Sequence, residues 1–200
     1  KPYKISVPKS TLNNIYKKVR AYPWKMMQNV DGWEYGTNYN FLKKISKYWV
    51  SKYNWNKFEN KINSFKNYKT NVDGINLHFI VEKSKNPKSR PLLLLHGWPG
   101  SVIEFFNIIP RLAHPEKFGG KIEDGFDVIV PSLPGFGFSS PIKKALGPRR
   151  IGRILNRFMV KNLGHKNYIV QGGDWGATIA AWIGLDLSLI HISEPTRPID

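Results

Sequence analysis

The 200-residue sequence contains no cysteine, 14 acidic residues against 31 Lys and Arg, and no long apolar run, and each shortage narrows what the protein can be. Without cysteine there is no disulfide framework and no thiolate metal site, a composition compatible with a reducing compartment. Every apolar run falls far short of the ~20 residues that span a bilayer, and no signal peptide is visible. The chain starts at Lys1 rather than methionine, which leaves room for an N-terminal anchor or targeting segment ahead of it. The shortage of acids gives a formal charge of +17, unevenly spread: residues 1–90 carry 19 Lys/Arg against 5 Asp/Glu, residues 91–200 carry 12 against 9. The excess is lysine mixed with asparagine, as in Lys17-Lys18 and Lys43-Lys44, with no arginine-rich stripe and no nucleic-acid motif. It reads as a solvated face rather than a nucleic-acid or polyanion surface. The polyanion alternative predicts salt-sensitive retention on heparin that removal of residues 1–66 abolishes.

What is present is an ordinary globular composition, 41% hydrophobic and 14% aromatic, enough for a packed core. Ser10 is placed to cap a helix through about Val19, with Leu12, Ile15, Tyr16 and Val19 on one face. A turn-rich stretch, 29–40, precedes helical patterns over Phe41–Tyr53 and Trp55–Ile62, and its aromatics Trp33, Tyr35 and Tyr39 read as packing groups rather than a cofactor site. From Tyr68 the period changes. Tyr68–Val72, an Asp73-Gly74 turn and Ile75–Val81 predict a β-hairpin in which His78 is a partly exposed strand residue. Leu92–Leu95, Phe126–Val130 and Tyr168–Gln171 are continuous apolar runs suited to strands buried on both faces of a parallel sheet. Helical patterns over Val102–Leu112 and Ile151–Leu163 lie between them, giving β-α-β-α-β-α order. The expected organisation is a helical leader, 1–66, followed by the N-terminal half of an α/β core, 67–186. The last stretch, 187–200, resembles in Leu187–Arg197 the translation of a transposase sequencing adapter, so natural sequence is expected to end near Asp186 and His191 is excluded from functional reasoning.

Three glycine-bearing segments begin where predicted strands end: His96-Gly97-Trp98-Pro99-Gly100, Pro131–Gly137, and Gly172-Gly173-Asp174-Trp175-Gly176. In an open α/β sheet that edge binds ligands. The third segment has the small-x-nucleophile-x-small form of a nucleophile elbow, with Asp174 in the place of serine and Gly172 and Gly176 permitting the sharp turn. A carboxylate at the start of the following helix stays ionised and attacks electrophilic carbon, forming an ester, which suits epoxides or alkyl halides. The amides of Trp98 and Trp175 are the candidate oxyanion hole; Pro99 has no amide to give, and His96 reads as a structural support of its loop together with Gly97. Asp174 as a simple helix cap is the competing view. His114, after a helix, and His165, at the opposite sheet edge, do not read as catalysts.

At these residues the sequence resembles the microsomal-type epoxide hydrolases, the insect juvenile hormone epoxide hydrolases among them. The resemblance covers nearly all of residues 1–186. It rests on His96–Ser101 with Glu104-Phe105, on Pro134–Ser139 and on Gln171–Gly176. In the leader it rests on Tyr35-Gly36, Tyr48-Trp49, Tyr53-Asn54-Trp55 and Asp73–Phe79, with Asn54 where the family usually has Asp. It implies an α/β-hydrolase fold, present here as the leader and the first half of the core sheet. It also implies conversion of a lipophilic epoxide to a vicinal diol through an ester on Asp174, with no cofactor, metal or nucleic-acid partner. In the family pattern the lid tyrosines, the general-base histidine and its acidic partner lie beyond Asp186, so the 200 residues alone are expected to be inactive. The resemblance further implies a parent protein associated with the endoplasmic reticulum membrane. A dehalogenase using the same aspartate, told apart by halide release, and a non-catalytic binder of hydrophobic ligands are the alternatives.

Overall fold

The computed structural model describes residues 1–28, 32–139, 141–187 and 192–193, and its contacts divide the chain into two units. The first is Ile5–Ile62; the second joins Lys1–Lys4 to everything from Asn63 onwards.

The first unit holds three helices. α1 (Lys9–Arg20) follows Pro8 and has no side-chain cap, so Ser10 lies inside the first turn instead of capping it. Pro8 suits this boundary because its ring presets a compatible φ. Lys17, Lys18 and Arg20 in the last turn complement the helix dipole. α2 (Tyr39–Ser51) is capped by Asn38, whose Oδ1 accepts the Phe41 amide at 3.0 Å. α3 (Trp55–Asn63) begins after Asn54, whose Oδ1 accepts the Lys57 amide at 3.1 Å. Asn and Asp serve equally well as acceptors in that position. Glu59 ties the unit together, accepting from the Val7 amide at 2.7 Å and from Trp55 Nε1 at 3.0 Å. Of the loop aromatics expected to pack, Tyr39 lies against Trp24 and Trp33 against Phe41, although Trp33 is 60% exposed; Tyr35 departs from the expectation at 91% exposed.

The second unit is built on a six-stranded mixed sheet in the order β1-β2-β4-β3-β5-β6. β1 (Asn67–Val72) and β2 (Ile75–Glu82) form the predicted hairpin, and both turn residues, Asp73 and Gly74, have positive φ (51° and 80°), as a tight hairpin turn requires. β2 pairs antiparallel with β4 (Asp127–Pro131). β4, β3 (Pro91–Leu95), β5 (Ile169–Gly172) and the two-residue β6 (Ile192–Ser193) are parallel. Lys1–Lys4 adds to the outer edge of β1, Tyr3 donating to the Asn67 carbonyl and Lys69 to that of Lys1. Apart from Leu187 and β6, residues 187–200 lie outside the described residues, and with them most of the stretch expected to be foreign.

Two predicted helices differ from expectation. Residues 102–112 form a 3-10 turn, Val102–Phe105, and a short α4 (Ile109–Ala113). Pro110 offers no amide to the preceding turn, so a continuous helix breaks there and restarts with proline in its first turn. α5 (Pro148–Arg157) passes into a π turn, Phe158–Asn162, closed by Leu163 N–H on the Phe158 carbonyl. α6 (Trp175–Leu187) follows β5. Leu93, Leu95, Ile129 and Val170 from the sheet pack with Ile154, Leu155, Phe158, Met159, Ile179 and Ile183 into the main core. Each such side chain contributes about 1.5–3 kcal/mol of burial. On the other face Leu92 and Leu94, with Phe105, Ile108 and Leu112, border an open cavity of about 740 Å³.

Candidate active site

β3 lies between β4 and β5, so the chain leaves it to one side and then crosses to the other. That reversal opens a crevice at the carboxyl ends of the strands. All three glycine-bearing segments reach this edge.

Asp174 follows β5 by two residues and immediately precedes α6. Its φ is 53°, a left-handed conformation uncommon for a side-chain-bearing residue, so the elbow is held by its surroundings. The glycines show how tightly. A Cβ on Gly172 would lie 2.3 Å from the Gly176 carbonyl carbon and oxygen, and one on Gly176 would lie 2.2 Å from the Leu95 carbonyl oxygen. Both obstacles are backbone, so no rotamer change relieves them. A Cβ on Gly97 would fall 2.6 Å from the Asp174 Cβ, which places the loop after β3 directly against the elbow. The main-chain carbonyl of Asp174 accepts from Ala177 and Thr178, opening α6, whose dipole favours the carboxylate.

The Trp98 amide donates to Asp174 Oδ1 at 2.9 Å. Pro99 is joined to Trp98 through a cis peptide. Asp174 is exposed, as are Trp98 (64%) and Trp175 (46%). Trp175 supplies the first residue of α6. Beyond Gly100 the chain is fixed by a capping box, Ser101 N–H donating to Glu104 Oε1 at 3.1 Å and Ile103 N–H to Ser101 Oγ.

His96 is fully buried beneath this loop. Its Nδ1 lies 2.9 Å from the Gly97 carbonyl, an acceptor, so Nδ1 carries the proton; Nε2 then accepts the Leu133 amide at 3.0 Å. Burial pushes its pKa down, which favours this neutral form. His96 therefore joins the loop after β3 to the loop after β4. His78 requires a correction: it is fully buried, not partly exposed, bonded to Asn67 and Ser132, and burial together with the neighbouring Lys69 cation holds its pKa at about 4. Sequence reasoning missed this cluster because its partners stand far apart in the chain. His114 bonds Glu82 Oε1 at 2.9 Å and His165 sits before β5, both away from the elbow. Among the described residues no group of three His, Asp or Glu side chains could hold a metal ion, and no helix is long and apolar enough to cross a membrane.

The fold and the aspartate-bearing elbow define an α/β hydrolase. Residues 90–188 match the family model for the alpha/beta hydrolase fold, and residues 1–105 match that for the epoxide hydrolase N terminus. The chain belongs to the epoxide hydrolase family. It is 37% identical over 183 residues to juvenile hormone epoxide hydrolase 1 of Ctenocephalides felis, covering 90% of this chain and 39% of that protein. It is 37% identical over 186 residues to epoxide hydrolase 1 of Oryctolagus cuniculus, covering 90% and 40%. The crystal structure of juvenile hormone epoxide hydrolase from the silkworm Bombyx mori superposes with a TM-score of 0.84 at 32% identity, covering 98% of this chain and 47% of that one. The chain thus spans less than half the length of each of these relatives.

Proposed function

We propose that the protein is an epoxide hydrolase in which Asp174 is the nucleophile and the Trp98 and Trp175 amides form the oxyanion hole. The observation that carries this is the 2.9 Å bond from Trp98 N–H to Asp174 Oδ1 at a positive-φ elbow. Attack by Oδ2 on an epoxide carbon forms one C–O bond and breaks the ring C–O bond, whose oxygen takes a proton from the lid tyrosines that the family pattern places beyond Asp186 or, in the 200-residue chain, from solvent water. The product is an ester in which Oδ1 is the carbonyl oxygen. When water then adds to Cγ, negative charge appears on Oδ1, where an amide already donates. Collapse releases the vicinal diol with Oδ2, and water's oxygen enters the Asp174 carboxylate. No step calls on a metal or cofactor.

The substrate class in this proposal is lipophilic epoxides, juvenile hormone or xenobiotic; the names of the relatives above support an epoxide and, for one of them, juvenile hormone. The family pattern places the proton-donating lid tyrosines and the water-activating histidine beyond Asp186, so the 200-residue chain is expected to be inactive as a catalyst, an unreleased ester on Asp174 being the most that it forms. A membrane-associated, microsomal location belongs to the same proposal and rests on family resemblance; recovery of the native protein in the cytosolic fraction would overturn it. The test of the chemistry is mass spectrometry of the 200-residue chain after incubation with styrene oxide, whose benzylic C–O bond opens readily. The expected result is one adduct on the peptide bearing Asp174, abolished by Asp174→Asn, with no more than one diol per chain. An adduct pattern unchanged by Asp174→Asn would sink the assignment of the nucleophile, and sustained diol formation would sink the single-turnover expectation.

A further inference from the structure

The buried cluster around His78 leads by an unbroken series of contacts to the Trp98 amide. Asn67 presents its Oδ1 to His78 Nε2 at 3.0 Å, and its Nδ2 donates to the Phe65 carbonyl at 2.8 Å, which fixes which end of the amide faces the ring. Nε2 therefore carries the proton, and Nδ1 accepts from the Ser132 hydroxyl at 2.9 Å. Ser132 is held from two further directions, and the second partner turns back to His78. Its amide donates to the His78 carbonyl at 2.9 Å, its own carbonyl accepts the Ser139 hydroxyl at 2.7 Å, and the same Ser139 oxygen accepts the His78 amide at 3.1 Å. The next residue, Leu133, donates its amide to His96 Nε2, and His96 Nδ1–H donates to the carbonyl of Gly97, one residue before Trp98.

We propose that His78 is a positioning residue for the Trp98 amide, acting through Ser132, Leu133 and His96. The two histidines hold opposite tautomers, His78 protonated on Nε2 and His96 on Nδ1, and each is fixed by an acceptor that admits no alternative. Burial supports both neutral forms. The ring edges are packed as well, Phe138 against His78 at 5.3 Å and Phe136 against His96 at 5.4 Å between centroids, so neither imidazole turns freely. The loop between Ser132 and Ser139 is thereby pinned at both ends on the β2 side and at Leu133 on the β3 side. A donor aimed at developing charge gains most when it does not have to reorganise, and this framework removes that freedom from the loop carrying Trp98.

The significance for catalysis rests on the proposed roles of Asp174 and Trp98, but the test does not need the reaction, so the two can fail separately. Nitrogen-15 NMR of the 200-residue chain is expected to show His78 as the Nε2–H and His96 as the Nδ1–H tautomer. His78→Phe keeps a flat ring and removes both bonds; it is expected to speed hydrogen exchange at the Leu133 and Trp98 amides by about tenfold, the change from one neutral hydrogen bond. The Leu155 amide in α5 is expected to be unchanged. His78→Asn leaves an acceptor where Nδ1 stood and should restore slow exchange. Ser132→Ala, a milder change, should act in the same direction as His78→Phe and serves if that variant does not fold. Unchanged exchange at Leu133 and Trp98 in both His78→Phe and Ser132→Ala, or the reverse tautomers in the parent chain, would overturn the proposal.

Discussion

The two units bury their apolar residues to very different depths. In the helical unit α1 and α2 contain no buried residue, although each has a clear apolar face, and α3 buries Ile62 alone. Ile15, Ile45, Tyr48, Trp49 and Tyr53 remain partly exposed around an apolar groove of about 510 Å³. In the sheet unit β4 is buried throughout and α5 buries Ile151, Gly152, Ile154 and Leu155. Amphipathic periodicity is common to both, so periodicity establishes that a helix has an apolar face and not how completely the face is covered. The helical unit is held by capping and a few side-chain anchors such as Glu59; the sheet unit is held by contacts between residues distant in sequence.

The largest expected effect is at the elbow. Gly176→Ala forces a methyl onto the Leu95 carbonyl and should destabilise the sheet unit by roughly 4 kcal/mol, in the range of the most damaging point changes. A urea midpoint within error of the parent would show that the backbone approach there is not a constraint.

Acid should act on the sheet unit first, because all five histidines lie outside residues 1–66. His78 has a pKa of about 4 when folded against 6.5 ordinarily. Above pH 6.5 it is neutral in both states and costs nothing. Between 6.5 and 4 the unfolded chain binds a proton that the folded chain refuses, so stability falls as pH falls, by roughly 3 kcal/mol, and levels off below 4. His96 and His165 are also held below their usual range and act with the same sign. Urea titrations at several pH values should show a slope that is shallower in His78→Asn; equal slopes would remove His78 as a contributor.

Smaller effects are expected in the helical unit. Asn38→Ala removes the cap of α2 and should cost about 1 kcal/mol, read as faster amide exchange in its first turn. Ile45→Ser, at a half-exposed position, should change stability by no more than ~0.5 kcal/mol. A loss several times larger would show that the groove side chains carry more of the fold than their exposure implies.

The features legible in the sequence are those fixed by neighbouring residues. The Asp73-Gly74 hairpin, the apolar strands and the glycine spacing around Asp174 each follow from local geometry. The break at Pro110 was legible by the same logic, yet the apolar spacing of Val102–Leu112 masked it. The burial of His78 was not, since Ser132 and Ser139 stand 54 and 61 residues away and only the β2–β4 pairing brings them together. The contact from the Trp98 amide to Asp174 joins residues 76 apart. Recognising two motifs at one sheet edge placed them near each other, and the missing Cβ of Gly97 is what lets them touch.

The strip Lys1–Lys4 takes its partners from Asn67 and Lys69, beyond the whole helical unit. A ribosome releases that strip before the helical unit, yet it has nothing to pair with until β1 has emerged. For this strip, order of synthesis and order of completion run in opposite directions: residues made before the three helices are secured only after them.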